Sequence, residues 1–222
     1  MCGRTITGDV SWEQYHEWMG IIRDSSTPDL RARYNVAPTT MSPIFIEDGP
    51  NKLGIVARWG LIPHWYRQTA ADMKFSTFNA RSEEAHAKPV FRDAMRDKHC
   101  LVPVQGYYEW KGAKGNKTPY MISVSTNAPA FCLAGLYSKV ELPDFNGYTY
   151  TVLTEASYDP VKDLHDRIPI MLDEDSYESW LNASTPITEV NRIDPNRITF
   201  HQVGKAVGNV RNDDVTLIDE VV

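Results

Sequence analysis

The sequence lacks several features that define common protein classes. It has only three cysteines in 222 residues, Cys2, Cys100 and Cys132, and no CxxC pair, which argues against a disulfide framework and a thiolate zinc site. Its six histidines lack ligand spacing, so we expect no metal and no other cofactor. No apolar run approaches the roughly 18 residues of a membrane span, and the first residues are too polar for a signal peptide, so we expect an intracellular protein.

Positive charge is also in short supply. Lys and Arg number 23 against 29 Asp and Glu, which gives a net charge of −6. This balance argues against a protein that coats nucleic acid through bulk positive charge, although a local basic groove stays possible. Hydrophobic residues at 42% and charged residues at 23% are ordinary for a globular chain. The length fits one compact domain, 1–222.

Local patterns predict an α+β fold. A capping box at Ser11 begins a helix over 11–22, and Pro89 should begin another that ends at Asp97. Two further helices are predicted over 174–181 and 187–192, and a long ordered loop over 62–77. Strands are predicted over 42–47, 53–59, 101–110, 118–125, 130–139, 149–154 and 198–203.

Cys2 directly follows the initiator methionine. A small second residue permits methionine removal, so the mature chain could begin with a cysteine that carries both a free amine and a thiol. Such a residue can form a Schiff base with an aldehyde and then close a five-membered thiazolidine, which an internal cysteine cannot do. An amine pKa of about 8 leaves part of it unprotonated at neutral pH. A disordered terminus without chemistry is the alternative.

Two other residues are candidates for proton transfer. Glu109 lies among aromatic residues in GYYEW, where burial would raise its pKa; the alternative is an edge-strand glutamate facing solvent. His165, in LHDRIP, is a candidate because histidine is a side chain suited to proton transfer, although a lone histidine is often structural. Asn79 and Arg81, in FNAR, could hold a sugar or a phosphate, with helix capping by Asn79 as the alternative.

A third set of residues suggests contacts with nucleic acid. Trp59, Trp65, Tyr66 and Trp110 are interleaved with basic residues, a composition that could stack unpaired bases, although most of these aromatics could instead be core. The segment GKAVGNVRN, 204–212, has the glycine and basic content of a phosphate-contacting loop, but this signal is weak.

Taken together, MCGR, RYNVAP, RWGLIPHW, FNAR, GYYEW, LHDRIP and AVGNV resemble, in order and spacing, the SOS response associated peptidase (SRAP) family. The resemblance runs over about 2–212 and leaves 213–222 as a tail. It implies a single domain around a curved, mostly antiparallel, barrel-like sheet with peripheral helices. It also implies processing of abasic sites in single-stranded DNA through a covalent cross-link to the N-terminal cysteine, in a cytoplasmic or nucleoid-associated monomer.

The resemblance assigns roles residue by residue. It implies Cys2 as the nucleophile, Asn79 as the group that orients amine and sugar, Glu109 as the acid–base residue and His165 as the proton donor for ring opening. Arg4, Arg81 and Arg167 would contact phosphates. Pro38 and Trp65 would wedge or stack at a junction of single- and double-stranded DNA, and Tyr66 stands where a second tryptophan is familiar. We expect these residues to border a concave basic groove that ends at Cys2.

Three hypotheses follow. The first is a thiazolidine cross-link to an abasic site, with strand cleavage by β-elimination as a side activity. The second is a cysteine peptidase, possible also as self-processing, that uses Cys2 as thiolate and His165 as base with Asn79 or Glu109 in support. The third is a non-enzymatic module that binds single-stranded DNA. A peptidase would tolerate residues before Cys2, thiazolidine formation would not, and a binding module would be indifferent to Cys2→Ala.

Overall fold

Two β-sheets carry most of the structure in the computed structural model, which describes residues 2–113 and 115–221. In chain order the strands are β1 (Thr5–Ile6), β2 (Ile22–Arg23), β3 (Met41–Asp48), β4 (Asn51–Trp59), β5 (Asn79–Arg81), β6 (His99–Val104), β7 (Gly106–Lys111), β8 (Thr118–Val124), β9 (Phe131–Glu141), β10 (Asn146–Ala156), β11 (Arg167–Pro169), β12 (Met171–Leu172) and β13 (Ile198–Gln202). The α-helices are α1 (Trp12–Met19), α2 (Ser82–Ala85), α3 (Pro89–Asp97) and α4 (Tyr177–Leu181). Short 3-10 turns occur at Ala70–Asp72, Glu174–Ser176, Pro195–Arg197, Lys205–Gly208 and Val215–Ile218.

The larger sheet closes on itself. Strands β10, β4, β3, β6 and β9 form a ring of five, because β9 pairs with β10 as well as with β6. All neighbours in the ring are antiparallel except β10 and β4, which run parallel. Closure removes the exposed sheet edges that would otherwise need protection. The predicted α+β class, a single compact domain around a curved, barrel-like and mostly antiparallel sheet, is confirmed.

The smaller sheet has the order β1, β7, β8, β13 and joins the ring through one residue. Gln105 separates β6 in the ring from β7 in the smaller sheet, and its amide donates to the Ile6 carbonyl at 2.7 Å. The single strand predicted over 101–110 is therefore wrong, since the chain turns a corner at Gln105. The continuous apolar pattern gave no signal for a change of sheet.

The helices follow their local signals with two exceptions. Ser11 caps α1 as predicted, but the helix ends at Gly20, whose φ of 68° is left-handed, so residues 21–22 are not helical. Pro89 begins α3, which spans the predicted range. The helix predicted over 187–192 is wrong: this segment forms turns, and Arg192 bridges to Leu172. The strands predicted over 42–47 and 53–59 are confirmed as β3 and β4, which pair as a hairpin, and the long loop over 62–77 is confirmed as well.

Candidate active site

The first residues of the chain run beside β7 into the junction between the two sheets. β1 pairs antiparallel with β7, and the Tyr108 amide donates to the Arg4 carbonyl at 3.0 Å. Continuation in this direction brings Cys2 towards the part of β7 that carries Glu109. Met1, whose removal the sequence predicts, lies outside the described residues.

Cys2 is fully buried. Its side chain belongs to the same apolar cluster as Trp59 and Tyr107, and its sulfur lies 4.0 Å from the Arg4 carbonyl oxygen. Burial raises the pKa of the Cys2 thiol, and the neighbouring carboxylate of Glu109 acts in the same direction. The thiol is therefore held in its neutral form at physiological pH.

Asn79 fixes the backbone of Cys2. Its Nδ2 donates to the Cys2 carbonyl oxygen at 2.5 Å. Strand β5, which carries Asn79, pairs with β10, and Trp59 donates from Nε1 to the carbonyl of Phe78 at 2.7 Å. Oδ1 of Asn79 is buried and has no hydrogen-bond partner among the described residues. This oxygen is thus placed to accept a hydrogen bond from an amine or a sugar hydroxyl.

Glu109 is only 5% exposed, so the solvent-facing alternative is wrong. Burial raises the pKa of its carboxyl group, while the charges around it, including that of His165, act in the opposite direction. Its carboxylate in turn acts to raise the pKa of the Cys2 thiol. A carboxyl group with a raised pKa is a stronger proton acceptor when ionised than an ordinary carboxylate, which suits it to acid–base catalysis.

His165 lies at the end of a loop, 157–166, that connects β10 to β11. The loop closes through the Ser157 amide, which donates to the Asp166 carbonyl at 3.0 Å, and Leu164 packs in the same cluster as Cys2. Nδ1 of His165 lies 2.7 Å from Oδ1 of Asp166 and 3.0 Å from the Arg167 amide nitrogen. Asn79 thus contacts Cys2 directly, the charge of Glu109 acts on the Cys2 thiol and the charge of His165 acts on Glu109, with the His165 side chain 28% exposed.

The three arginines expected at phosphates all have protein partners. Arg4 donates to Oδ1 of Asn35 and to the Val207 carbonyl, both at 2.8 Å, and to the Gly208 carbonyl at 3.3 Å. Arg81 is exposed and pairs with Glu84 at 3.3 Å.

Arg167 forms a two-pronged ion pair with Glu83 at 2.8 and 2.9 Å. Of the three arginines, Arg81 is therefore the one most accessible to an anion.

The residues expected to stack or wedge against DNA divide between the core and the surface. Trp59 is fully buried, Pro38 and Tyr66 are half-buried, and Trp65 is 47% exposed. Trp65 and Tyr66 border an apolar cavity of about 520 Å³ together with Phe75, which is 74% exposed. Sequence reasoning missed Phe75, because a phenylalanine in an aperiodic loop has no pattern that separates surface from core.

Asn35 is a second residue that the sequence analysis missed. It lies in the motif RYNVAP without a role assigned to it, yet it is buried and its Nδ2 donates to the carbonyls of Val207, Asn209 and Asn212 at 3.1, 3.1 and 2.8 Å. The loop 204–212 therefore turns its carbonyl groups inward to Asn35 and Arg4. Asp213 continues this contact by accepting from the amides of Tyr34 and Asn35 at 2.6 and 2.9 Å.

Within 2–113 and 115–221, no helix is long and apolar enough to cross a membrane. In the same part of the chain, no group of three or more His, Cys, Asp or Glu side chains is arranged to hold a metal ion.

Comparison with solved structures defines the class of fold. A protein from Bacteroides thetaiotaomicron has a TM-score of 0.81 at 24% identity, with both chains covered completely. A protein from Bordetella bronchiseptica has a TM-score of 0.76 at 24% identity and covers 91% of this chain and 100% of its own.

Comparison of sequences defines the family. The model of the SOS response associated peptidase (SRAP) family matches residues 1–210, and the chain belongs to this family. The abasic site processing protein YoqW of Bacillus subtilis (strain 168) is 31% identical over 99% of both chains. The abasic site processing protein HMCES of Gallus gallus is 30% identical over 82% of this chain and 64% of its own.

Proposed function

We propose that this protein processes abasic sites in single-stranded DNA by forming a covalent thiazolidine through Cys2. The observation that carries the proposal is the hydrogen bond from Asn79 to the Cys2 carbonyl, 2.5 Å long, beside the buried Glu109. The names of the relatives agree with an abasic site as substrate. The proposal requires removal of Met1, so that Cys2 carries a free amine.

The reaction balances without a cofactor. The Cys2 amine attacks the aldehyde of the ring-opened sugar, and loss of one water gives an imine. The thiol then adds to the imine carbon, so that a carbon–sulfur bond forms and the thiol proton moves to nitrogen. Burial keeps the thiol neutral and therefore a weak nucleophile, which favours first attack by the amine. The sulfur then adds to the imine carbon from within the same residue.

The neighbouring side chains have distinct tasks in this scheme. Asn79 holds the peptide carbonyl of Cys2, and its free Oδ1 can accept a hydrogen bond from the amine or the sugar. His165 donates a proton to the sugar ring oxygen as the ring opens. Glu109, with its raised pKa, takes the amine proton and returns one to the departing hydroxyl when water leaves.

Strand cleavage is the side reaction expected from the same intermediate. If the imine persists, a base can remove the proton on the carbon next to it, and the 3′ phosphate then leaves by β-elimination. Rapid capture by the thiol competes with this elimination. The cross-link therefore shields the strand, and removal of the thiol with retention of the amine should favour cleavage.

The peptidase hypothesis fits the site less well. A cysteine peptidase uses a thiolate, which requires a lowered thiol pKa in an accessible, electropositive environment. Cys2 is fully buried and its thiol pKa is raised. These features favour chemistry at the amine over attack by a thiolate.

The surface beside the site offers stacking groups for DNA. Trp65 and Phe75 expose large aromatic faces at one apolar cavity, and unpaired bases stack on such faces. Arg81, which follows Phe75 by six positions in the chain, offers an exposed guanidinium for a phosphate. We assign this surface to single-stranded DNA, with Pro38 at the junction to a duplex, and we take the protein to act as a monomer.

The test is intact-mass analysis after incubation with single-stranded DNA that carries one abasic site. We expect a stable adduct equal to protein without Met1 plus DNA less one water. Cys2→Ala and a variant with one residue inserted before Cys2 should give no adduct, and undamaged DNA should give none. An adduct that survives the insertion, or its absence from the native protein lacking Met1, would overturn the proposal.

A further inference from the structure

The ion pair of Glu83 and Arg167 has a more constrained geometry than an ordinary surface ion pair. Nη1 of Arg167 donates to Oε1 of Glu83 at 2.8 Å and Nη2 donates to Oε2 at 2.9 Å, and the Arg167 side chain is only 12% exposed. Donation from Arg167 lowers the pKa of Glu83. Two-pronged arginine–carboxylate pairs fix geometry as well as charge.

This pair spans the strand that separates two parts of the site. Its Glu83 follows β5, the strand of Asn79, whereas Arg167 begins β11, two residues after His165. Strand β10 pairs with both β5 and β11, and Arg167 donates to its Thr154 carbonyl at 2.5 Å on the way to Glu83. The ion pair therefore ties the backbone at Arg167 to the segment that holds Asn79.

The backbone at Arg167 controls the proton of His165. The Arg167 amide donates to Nδ1 of His165 at 3.0 Å, which requires a lone pair on Nδ1 and places the proton of the neutral ring on Nε2. The contact of Nδ1 with Asp166, 2.7 Å, requires instead a proton on Nδ1. Because Asp166 is 83% exposed and can turn away, the fixed amide decides the neutral form.

We propose that Glu83 is a positioning residue, which acts through Arg167 to keep the proton of neutral His165 on Nε2, ready for donation to the sugar. This inference rests on the proposed function for its purpose, but not for its geometry. It also assigns Arg167 to the protein's own framework. The alternative, that Glu83 only masks a phosphate-binding arginine, predicts tighter DNA binding when Glu83 is replaced, whereas positioning predicts no change in affinity beyond that of a control charge removal.

The direct test measures imidazole ¹⁵N chemical shifts in protein without DNA. For neutral His165 we expect a protonated Nε2 and a bare Nδ1. Glu83→Gln and Arg167→Lys should both move the shifts towards a mixture of the two tautomers, since each removes the two-pronged pair. Glu84→Gln removes one negative charge from the same helix and should leave the His165 shifts unchanged. Unchanged shifts in Glu83→Gln would overturn the inference.

A second readout separates positioning from masking. With saturating abasic DNA, Glu83→Gln should slow cross-linking about tenfold, the scale of a small misplacement, while its affinity for undamaged DNA equals that of Glu13→Gln, which removes one exposed negative charge from helix α1. Tighter DNA binding than Glu13→Gln, with a cross-linking rate at the native level, would support masking and overturn the inference. If native protein forms no cross-link at all, the proposed function fails, whereas altered ¹⁵N shifts in Glu83→Gln still support the positioning role.

Discussion

Replacement of Asn35 by alanine should destabilise the protein strongly, although Asn35 takes no part in the proposed chemistry. The hydrogen bonds from its two Nδ2 protons to three carbonyls stabilise the fold by about 2 kcal/mol in total. The hydrogen bond that its Oδ1 accepts from the charged Arg4 contributes about 1.5–3 kcal/mol more. Arg4 keeps its contacts with Val207 and Gly208, so the lower part of this range applies. We expect a loss of about 3–4 kcal/mol in the free energy of unfolding.

Urea denaturation followed by tryptophan fluorescence measures this loss. The matched control is Asn127→Ala, because Asn127 is exposed and should change stability by less than about 0.5 kcal/mol. Asn35→Asp keeps the shape but cannot donate to the carbonyls when ionised, so its deficit should shrink at acid pH as the carboxyl group regains a donor. A loss below about 1 kcal/mol for Asn35→Ala would refute the assignment of Asn35 as the centre of this network.

Three further predictions follow. Because burial raises the pKa of Glu109, the folded chain keeps a proton there above pH 4.5 where the unfolded chain loses it, so its contribution to stability falls as pH rises through this range. In urea denaturation at pH 8, Glu109→Gln should therefore be at least as stable as the native protein, although it should cross-link slowly. If the stability of Glu109→Gln relative to the native protein is lower at pH 8 than at pH 5, this reasoning is contradicted. Trp65→Ala and Phe75→Ala should each weaken binding of single-stranded DNA by about 1–3 kcal/mol in fluorescence anisotropy, whereas equal affinities would remove them from the interface. Gly106→Ala should cost about 1–3 kcal/mol of stability, because a Cβ would lie 2.8 Å from the Ile122 carbonyl oxygen, and a neutral effect would show that β7 can move.

Local chemistry made much of the fold predictable. The capping box at Ser11, the proline that begins α3 and the turn between β3 and β4 act within a few residues, and each gives the expected element. The corner at Gln105 was not predictable, because the two flanking strands have similar apolar patterns and only tertiary pairing assigns them to different sheets. The turns over 187–192 likewise reflect a long-range bridge to Leu172.

The sequence predicts the candidate site residues but not their contacts. Cys2, Asn79, Glu109 and His165 lie in separate motifs, and the family resemblance was needed to group them. The partners of the arginines could not be read from sequence, because Arg167 and Glu83 are 84 positions apart and Arg4 and Val207 are 203 apart. The residue type alone does not distinguish an arginine that pairs with other groups of the protein from one that binds a phosphate.

The most direct test of the central claim is the chemical state of Cys2 in the adduct. After nuclease and trypsin digestion, mass spectrometry of the peptide from Cys2 to Arg4 reports which atoms are bonded. The account predicts that the sugar remnant is on this peptide, that borohydride adds no hydrogen to it and that the thiol resists alkylation by iodoacetamide. A remnant fixed only after borohydride reduction, beside a thiol that alkylates, would show an imine without ring closure and would contradict the account.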